Sequence, residues 1–336
     1  MAALFITSPQ AGAGKTMLCA GLGKHLKGKG KKVGFFKPRV ALIKGAEKPA
    51  ADSDTAFIKR VLSLKEPVED ICPVISGKGD VAGKVKRAYE KIANDKDVVI
   101  IEGVWKQRPG AGAMESAVEL VKALEAKVIV VESYSPSLFG TKFADKYNGF
   151  GEHLLGVIVN KVPVSHMETA RGQDGLLLGV IPEDRKLLSL TVAELAERIE
   201  GRIVNEAGKS AELVENYMLG ALGVDSGLDY FGRKIDKAVV VKGERPDMQL
   251  AALETPTACL VISGDGEPIY NVLQSAEDKG IPIVITGDDT ISVVNSLELA
   301  LGSTKFNQDK KLPRLAEIME RQLDFDSLYK GLGLAG

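Results

Sequence analysis

At 336 residues and 45% apolar content, the chain is long enough for two packed domains, each able to bury its own core. Lys and Arg number 44 against 45 Asp and Glu, and a net charge of -1 gives no global field for gathering nucleic acid or an anionic membrane. The three cysteines, Cys19, Cys72 and Cys259, lie far apart with no CxxC spacing, which argues against a zinc site and for a reducing compartment.

The N-terminus runs straight into an apolar stretch without the basic start and cleavage pattern of an export signal, and no run reaches the ~18 apolar residues that span a bilayer. A cytoplasmic protein is expected, with no nucleic-acid or membrane partner.

In chain order, the first apolar run, ALFIT, leads into SPQAGAGKT. A phosphate loop reads GxxxxGK followed by Ser or Thr, and Gly14, Lys15 and Thr16 supply its end between a strand and a helix. Gly12, Ala13 and Gly14 let backbone N–H groups turn toward phosphate, Lys15 neutralises charge, and Thr16 can ligate Mg²⁺. Pro9 stands where the first glycine is expected; with no N–H and no access to positive φ, it gives the loop a different entrance. The lysines of LKGKGKK follow the first helix, where they complement its dipole as a solvated terminus.

Further strands are expected at VGFF (33–36), DVVIIEG (97–103), KVIVVES (127–133), LLGVIVN (154–160) and LLLGVIP (176–182). Segments of helical spacing separate them, including DTAFIKRVLSL, VAGKVKRAYEKIA and MESAVELVKALEA. Near-continuous apolar strands alternating with helices predict a parallel α/β sheet covered on both faces, with ligands beyond the carboxyl ends of the strands. Lys37, Glu102 and Asn160 fall at such ends, and Asp52 and Asp54 in ADSD precede a helix and offer carboxylates for Mg²⁺. Trp105, just after Glu102, either reshapes a substrate pocket or belongs to a core or interface.

The texture changes after Pro182. TVAELAERIEG places Val192, Leu195, Ala196 and Ile199 on one helix side, and AVVVKGER, ACLVISGDG and IPIVITGDD each end in a glycine, Gly243, Gly264 and Gly287. The spacing predicts a second, smaller parallel sheet, whose turns would gather Glu244, Arg245, Asp247, Asp265, Asp288, Asp289 and Thr290 at one edge. These turns either cap strands or line a small-molecule cleft. From Phe306 onward one docked helix, RLAEIMERQL, and a frayed end are expected.

The combination of GAGKT, FFKP with Lys37, DSD, IIEG and GVIVN resembles dethiobiotin synthetase and its relatives among the ATP-dependent cobyrinic acid amidases, over residues 1–182. That resemblance implies ATP held by the loop, Mg²⁺ on Thr16, Asp54 and Glu102, and adenine recognised by Asn160. It further implies Lys37 on a substrate anion, Lys15 stabilising phosphoryl transfer, and a homodimer. Residues 183–304 resemble the DRTGG domain that follows such a domain in long bacterial phosphotransacetylases, with Glu244 where Asp is usual. Residues 305–336 leave no room for an acetyl-transferring domain, and the three histidines, all in the first domain, do not supply a glutaminase site.

Two functions are then expected. The first is a regulatory or metabolite-sensing protein with ATP and Mg²⁺ in one domain and a small ligand in the other. The second is an ATP-dependent carboxylate-activating ligase. An assembly scaffold is a third class, against which the intact GKT argues.

Overall fold

The computed structural model describes residues 1–41, 52–77, 79–103, 112–138, 140, 142–172, 175–205, 208–220, 227–302 and 304–334. Val104, Trp105 and Lys106 lie outside the described residues. The chain divides into two compact units, Met1–Glu183 with Phe306–Gly336, and Asp184–Lys305.

In the first unit the strands are β1 (Ala2–Thr7), β2 (Val33–Phe36), β3 (Arg39–Ala41), β4 (Val74–Ser76), β5 (Val98–Glu102), β6 (Lys127–Ser133), β7 (Leu154–Val162) and β8 (Leu177–Pro182). The helices are α1 (Lys15–Gly28), α2 (Ser53–Leu62), α3 (Val68–Ile71), α4 (Val81–Ala93), α5 (Gly112–Ala123), α6 (Phe143–Lys146) and α7 (Met167–Arg171). Six strands form one sheet in the order β2-β5-β1-β6-β7-β8, every neighbour parallel. The expected parallel α/β sheet is therefore present. It forms because β1, β2 and β5 are apolar along their length and buried on both faces, which only helix-covered parallel strands tolerate. β3 and β4, which the sequence pattern did not mark, pair in a short separate ribbon.

The second unit contains α8 (Arg185–Leu188), β9 (Leu190–Thr191), α9 (Val192–Arg198), β10 (Arg202–Ile203), β11 (Leu213–Val214), β12 (Asn216–Leu219), α10 (Gly227–Phe231), β13 (Lys237–Lys242), α11 (Pro246–Leu253), β14 (Thr257–Ser263), α12 (Tyr270–Lys279), β15 (Ile283–Thr286) and α13 (Thr290–Gly302). Its sheet runs β10-β15-β14-β13-β12. Four of these strands are parallel, but the two-residue β10 pairs antiparallel with β15 at one edge, so the sheet is mixed rather than wholly parallel. Alternate residues of β13 feed opposite cores: Val240 joins Leu195, Ile199 and Val293, whereas Val239 and Val241 join Phe231, Met248 and Leu253.

After Phe306 the chain counts again with the first unit, and two helices form where one was expected. These are α14 (Leu312–Gln322) and α15 (Phe325–Leu332). Asp324 caps α15 by accepting from Ser327 N, so the segment before the terminal glycines is helical rather than frayed. α14 lies against α1 and β8: Leu315 is fully buried, Gly179 bridges to Leu323, and Asp324 N donates to Leu178 O at 2.8 Å.

A Cβ at Gly179 would stand 2.6 Å from the Gln322 carbonyl oxygen, a backbone atom that cannot swing aside. Gly179→Ala is expected to lower stability by roughly 1–3 kcal/mol by prising α14 from β8. Urea denaturation checks this, and an unchanged midpoint would count against the packing described.

Candidate nucleotide site

The turn from β1 into α1 carries the glycine loop. Gly14 caps α1 with φ +102, and Gly12 has φ +72, both in the left-handed region that favours glycine. The unusual entrance is built on Ser8: its hydroxyl donates to Gln10 O at 2.8 Å and accepts from Gln10 N at 3.0 Å, bracketing Pro9 in a side-chain turn. Gln10 Oε1 then accepts from Ser133 N, at the end of β6, at 3.2 Å. Ser and Gln on either side of Pro9 were the sequence signal for this turn, which motif reading passed over.

Asn160 lies beside the loop. Its Nδ2 donates to Ala13 O at 2.8 Å and its Oδ1 accepts from Lys161 N at 2.8 Å.

Thr16, in the first turn of α1, places its hydroxyl 3.2 Å from both Glu102 carboxylate oxygens and 3.4 Å from Asp54 Oδ2. Glu102 ends β5, and Asp54 opens α2, whose cap is Asp52, accepting from Asp54 N and Thr55 N. Lys37, which follows β2, sets its Nζ 3.0 Å from Asp54, 3.2 Å from Asp52 and 3.2 Å from Glu102. The structure thus brings Thr16, Lys37, Asp52, Asp54 and Glu102 together, with Asp52 on Lys37 and on the start of α2.

Burial governs the charges. Lys37 and Glu102 are only 7% and 4% exposed. Burial alone would lower the Lys37 pKa, but Glu102, Asp54 and Asp52 outweigh it and hold the ammonium charged, with its pKa raised. Burial pushes the Glu102 carboxyl up from its ordinary value against the pull of Lys37. For Asp52, burial is overcome by Lys37 and by two backbone N–H groups, and its pKa is lowered. Lys15 differs in kind: half-buried, it forms no ion pair among the described residues, and burial draws its pKa down with Glu102 opposing.

The donors suit a hard cation. Mg²⁺ typically rests on one or two carboxylates, a hydroxyl and phosphate oxygens, and Thr16, Asp54 and Glu102 present that set. Among the described residues no three His, Cys, Asp or Glu side chains form a metal cluster of their own, so phosphate oxygens would have to complete the shell.

In the second unit the parallel strands β13, β14 and β15 bring the expected turns to one edge. Gly243 and Gly266 meet backbone to backbone, a Cβ at Gly243 falling 2.6 Å from Gly266 Cα. Gly264 N donates to Thr286 O and Asp288 O, Asp265 packs against Gly287, and Arg245 pairs with Asp247 at 2.8 Å. Glu244 is exposed beside this pair. A cavity of about 330 Å³ lies between the ends of β12 and β13 and the start of α13, lined by Leu219, Val240, Lys242, Thr290, Ile291 and Val294. Of the expected cleft residues only Thr290 lines it, with Oγ1 2.9 Å from Ser263 Oγ.

A six-stranded parallel sheet with a glycine loop between its first strand and first helix is the architecture of the P-loop nucleotide-binding proteins. The family described as AAA domain matches residues 2–191, more than half of the chain, and the chain belongs to it; the DRTGG domain matches residues 194–300. The phosphate acetyltransferase of Pseudomonas aeruginosa is 26% identical over 99% of this chain and 52% of its own length. That of Pseudomonas putida is 28% identical over 88% of this chain and 47% of its own. The ATP-dependent dethiobiotin synthetase BioD of Caldicellulosiruptor saccharolyticus is 28% identical over 48% of this chain and 74% of its own. The chain thus spans about half the length of the phosphate acetyltransferases it matches. Among the described residues no helix is long and apolar enough to cross a membrane.

Lys37→Met would strip three carboxylates of their shared cation, and a loss of roughly 3 kcal/mol is expected at pH 7. With Lys37 gone, the Glu102 pKa rises further above its ordinary 4.5. A carboxyl raised in the folded state costs stability above its unfolded pKa and nothing well below it. The gap between variant and parent should therefore narrow as the pH falls toward 4.5, and urea unfolding at several pH values measures it.

Proposed function

We propose that this chain binds ATP with Mg²⁺ at residues 12–16 and acts as a regulatory, metabolite-sensing protein. The observation that carries the nucleotide reading is the contrast between the two lysines. Lys37 is paired with Asp52, Asp54 and Glu102, whereas Lys15 stands half-buried at the loop and, among the described residues, forms no ion pair. An unpaired, partly buried ammonium beside glycine-rich backbone at a helix start needs an anion, and a polyphosphate supplies one. Thr16, Asp54 and Glu102 would hold the Mg²⁺, which neutralises phosphate charge when bound. The adenine preference rests on the likeness to the dethiobiotin synthetase, as does the homodimer.

The regulatory preference draws support from the DRTGG match over residues 194–300, a unit compact in itself and distinct from the one that carries the glycine loop. The DRTGG-matched unit would carry the effector, a small molecule received at the cavity beside Lys242 and Thr290. Coupling between the units then requires that each ligand prefer one state of the whole chain. The ligase reading has its own support in the 28% identity to BioD over 74% of that protein.

Lys15→Ala is expected to abolish Mg-ATP binding in titration calorimetry; undiminished binding would sink the nucleotide assignment. Incubating the parent chain with ATP, alone and with diamines or dicarboxylates, separates the two readings. The regulatory reading expects no sustained ADP release under any of these conditions, and steady release dependent on one added compound would establish the ligase instead.

A further inference from the structure

We propose that Asn160 is a positioning residue of the phosphate loop, acting on every polyphosphate ligand whatever base it carries. The inference rests on the reading of residues 12–16 as a nucleotide site and assigns Asn160 a different task from recognition of the base.

The side chain is 3% exposed and both of its polar atoms are engaged. Nδ2 donates to Ala13 O and Oδ1 accepts from Lys161 N, each at 2.8 Å. In a trans peptide the carbonyl and the following N–H point in opposite directions. Holding Ala13 O against Asn160 therefore turns the Gly14 N–H away from Asn160, to the side of the loop on which an anion would sit. Gly14 is tied to the same contact, since a Cβ there would overlap the Asn160 amide nitrogen.

The loop is held at a second point by the neighbouring strand. Ser133 and Asn160 are register partners across β6 and β7, and Ser133 N donates to Gln10 Oε1 at 3.2 Å. Two adjacent strand ends thus fix the loop at Gln10 and at Ala13. Lys161 follows with φ +59, a conformation uncommon for a non-glycine residue, and its N–H is the one bonded to Asn160 Oδ1. Only an amide serves both partners. A carboxylate would lose the donor to Ala13 and set a negative charge against its carbonyl oxygen.

The test uses the full chain, with Asn160→Ala and Asn160→Asp titrated calorimetrically against Mg-ATP, Mg-GTP and Mg-tripolyphosphate, the last having no base. Asn160→Ala is expected to weaken all three by a common factor of about ten, the scale of one buried hydrogen bond, and Asn160→Asp by at least as much. A loss confined to ATP, with tripolyphosphate binding unchanged or the ATP-to-GTP ratio altered, would overturn the proposal in favour of base recognition. A parent chain that binds none of the three would remove the nucleotide reading itself, and this role with it. Should neither variant fold, a crystal structure of the parent with Mg-ATP decides. Nδ2 still on Ala13 O supports the positioning role, and an amide turned to the base refutes it.

Discussion

The six strands of the first unit all run in one direction, and its chemistry depends on that constraint. Parallel strands put every carboxyl end on one edge, so side chains remote in sequence arrive there together. Ser8 follows β1, Lys37 follows β2, Glu102 closes β5, Ser133 closes β6 and Asn160 lies near the end of β7. Apart from the turn of Ser8 onto Gln10 and the bond from Lys161 N to Asn160, these residues meet partners distant in the chain. Reversing one strand would carry its terminal residue to the far side of the sheet, and the loop would lose either a tether or the carboxylate facing Thr16.

At that edge, charge is divided unequally between two lysines. Buried carboxylates such as Glu102 are costly unless matched, and Lys37 offsets that cost while also satisfying Asp52 and Asp54. Among the described residues Lys15 forms no ion pair, and Glu102 only partly offsets its burial. Desolvation acts on both ammonium groups, yet their pKa values move oppositely, upward for the matched Lys37 and downward for the unmatched Lys15. The acids Asp54 and Glu102 meet the Thr16 hydroxyl, and Lys15 precedes it in the first turn of α1.

Much of this was legible in the sequence, and the limits have physical causes. The main strands of the first sheet were readable because doubly buried strands are apolar without interruption, and Lys37, Asp54 and Glu102 stood out as charges interrupting or bordering that pattern. The direction in which a side-chain amide points is not a local property. The hydrogen bond from Asn160 to Ala13 joins residues far apart in the chain, and no spacing rule announces it. β10 escaped notice because two residues carry no periodicity, and α15 because its glycine-bounded end hid the Asp324 cap. In the second unit the polar turns mark an edge where Gly243 and Gly266 meet backbone to backbone, an approach that no spacing rule announces. The open volume lies among Leu219, Val240, Ile291 and Val294, apolar residues with nothing in their sequence setting to distinguish them from core.

The chain leaves the first unit at Glu183 and rejoins it at Phe306. Helix α1, which carries Lys15 and Thr16, meets its packing partner α14 only after the whole of the second unit has been laid down. During synthesis the glycine loop would emerge before the second unit, and the helix behind it would remain uncovered on one flank until α14 follows that unit. The second unit, contiguous in sequence, can complete its own core in that interval, so of the two the unit that encloses the other in sequence closes its core later.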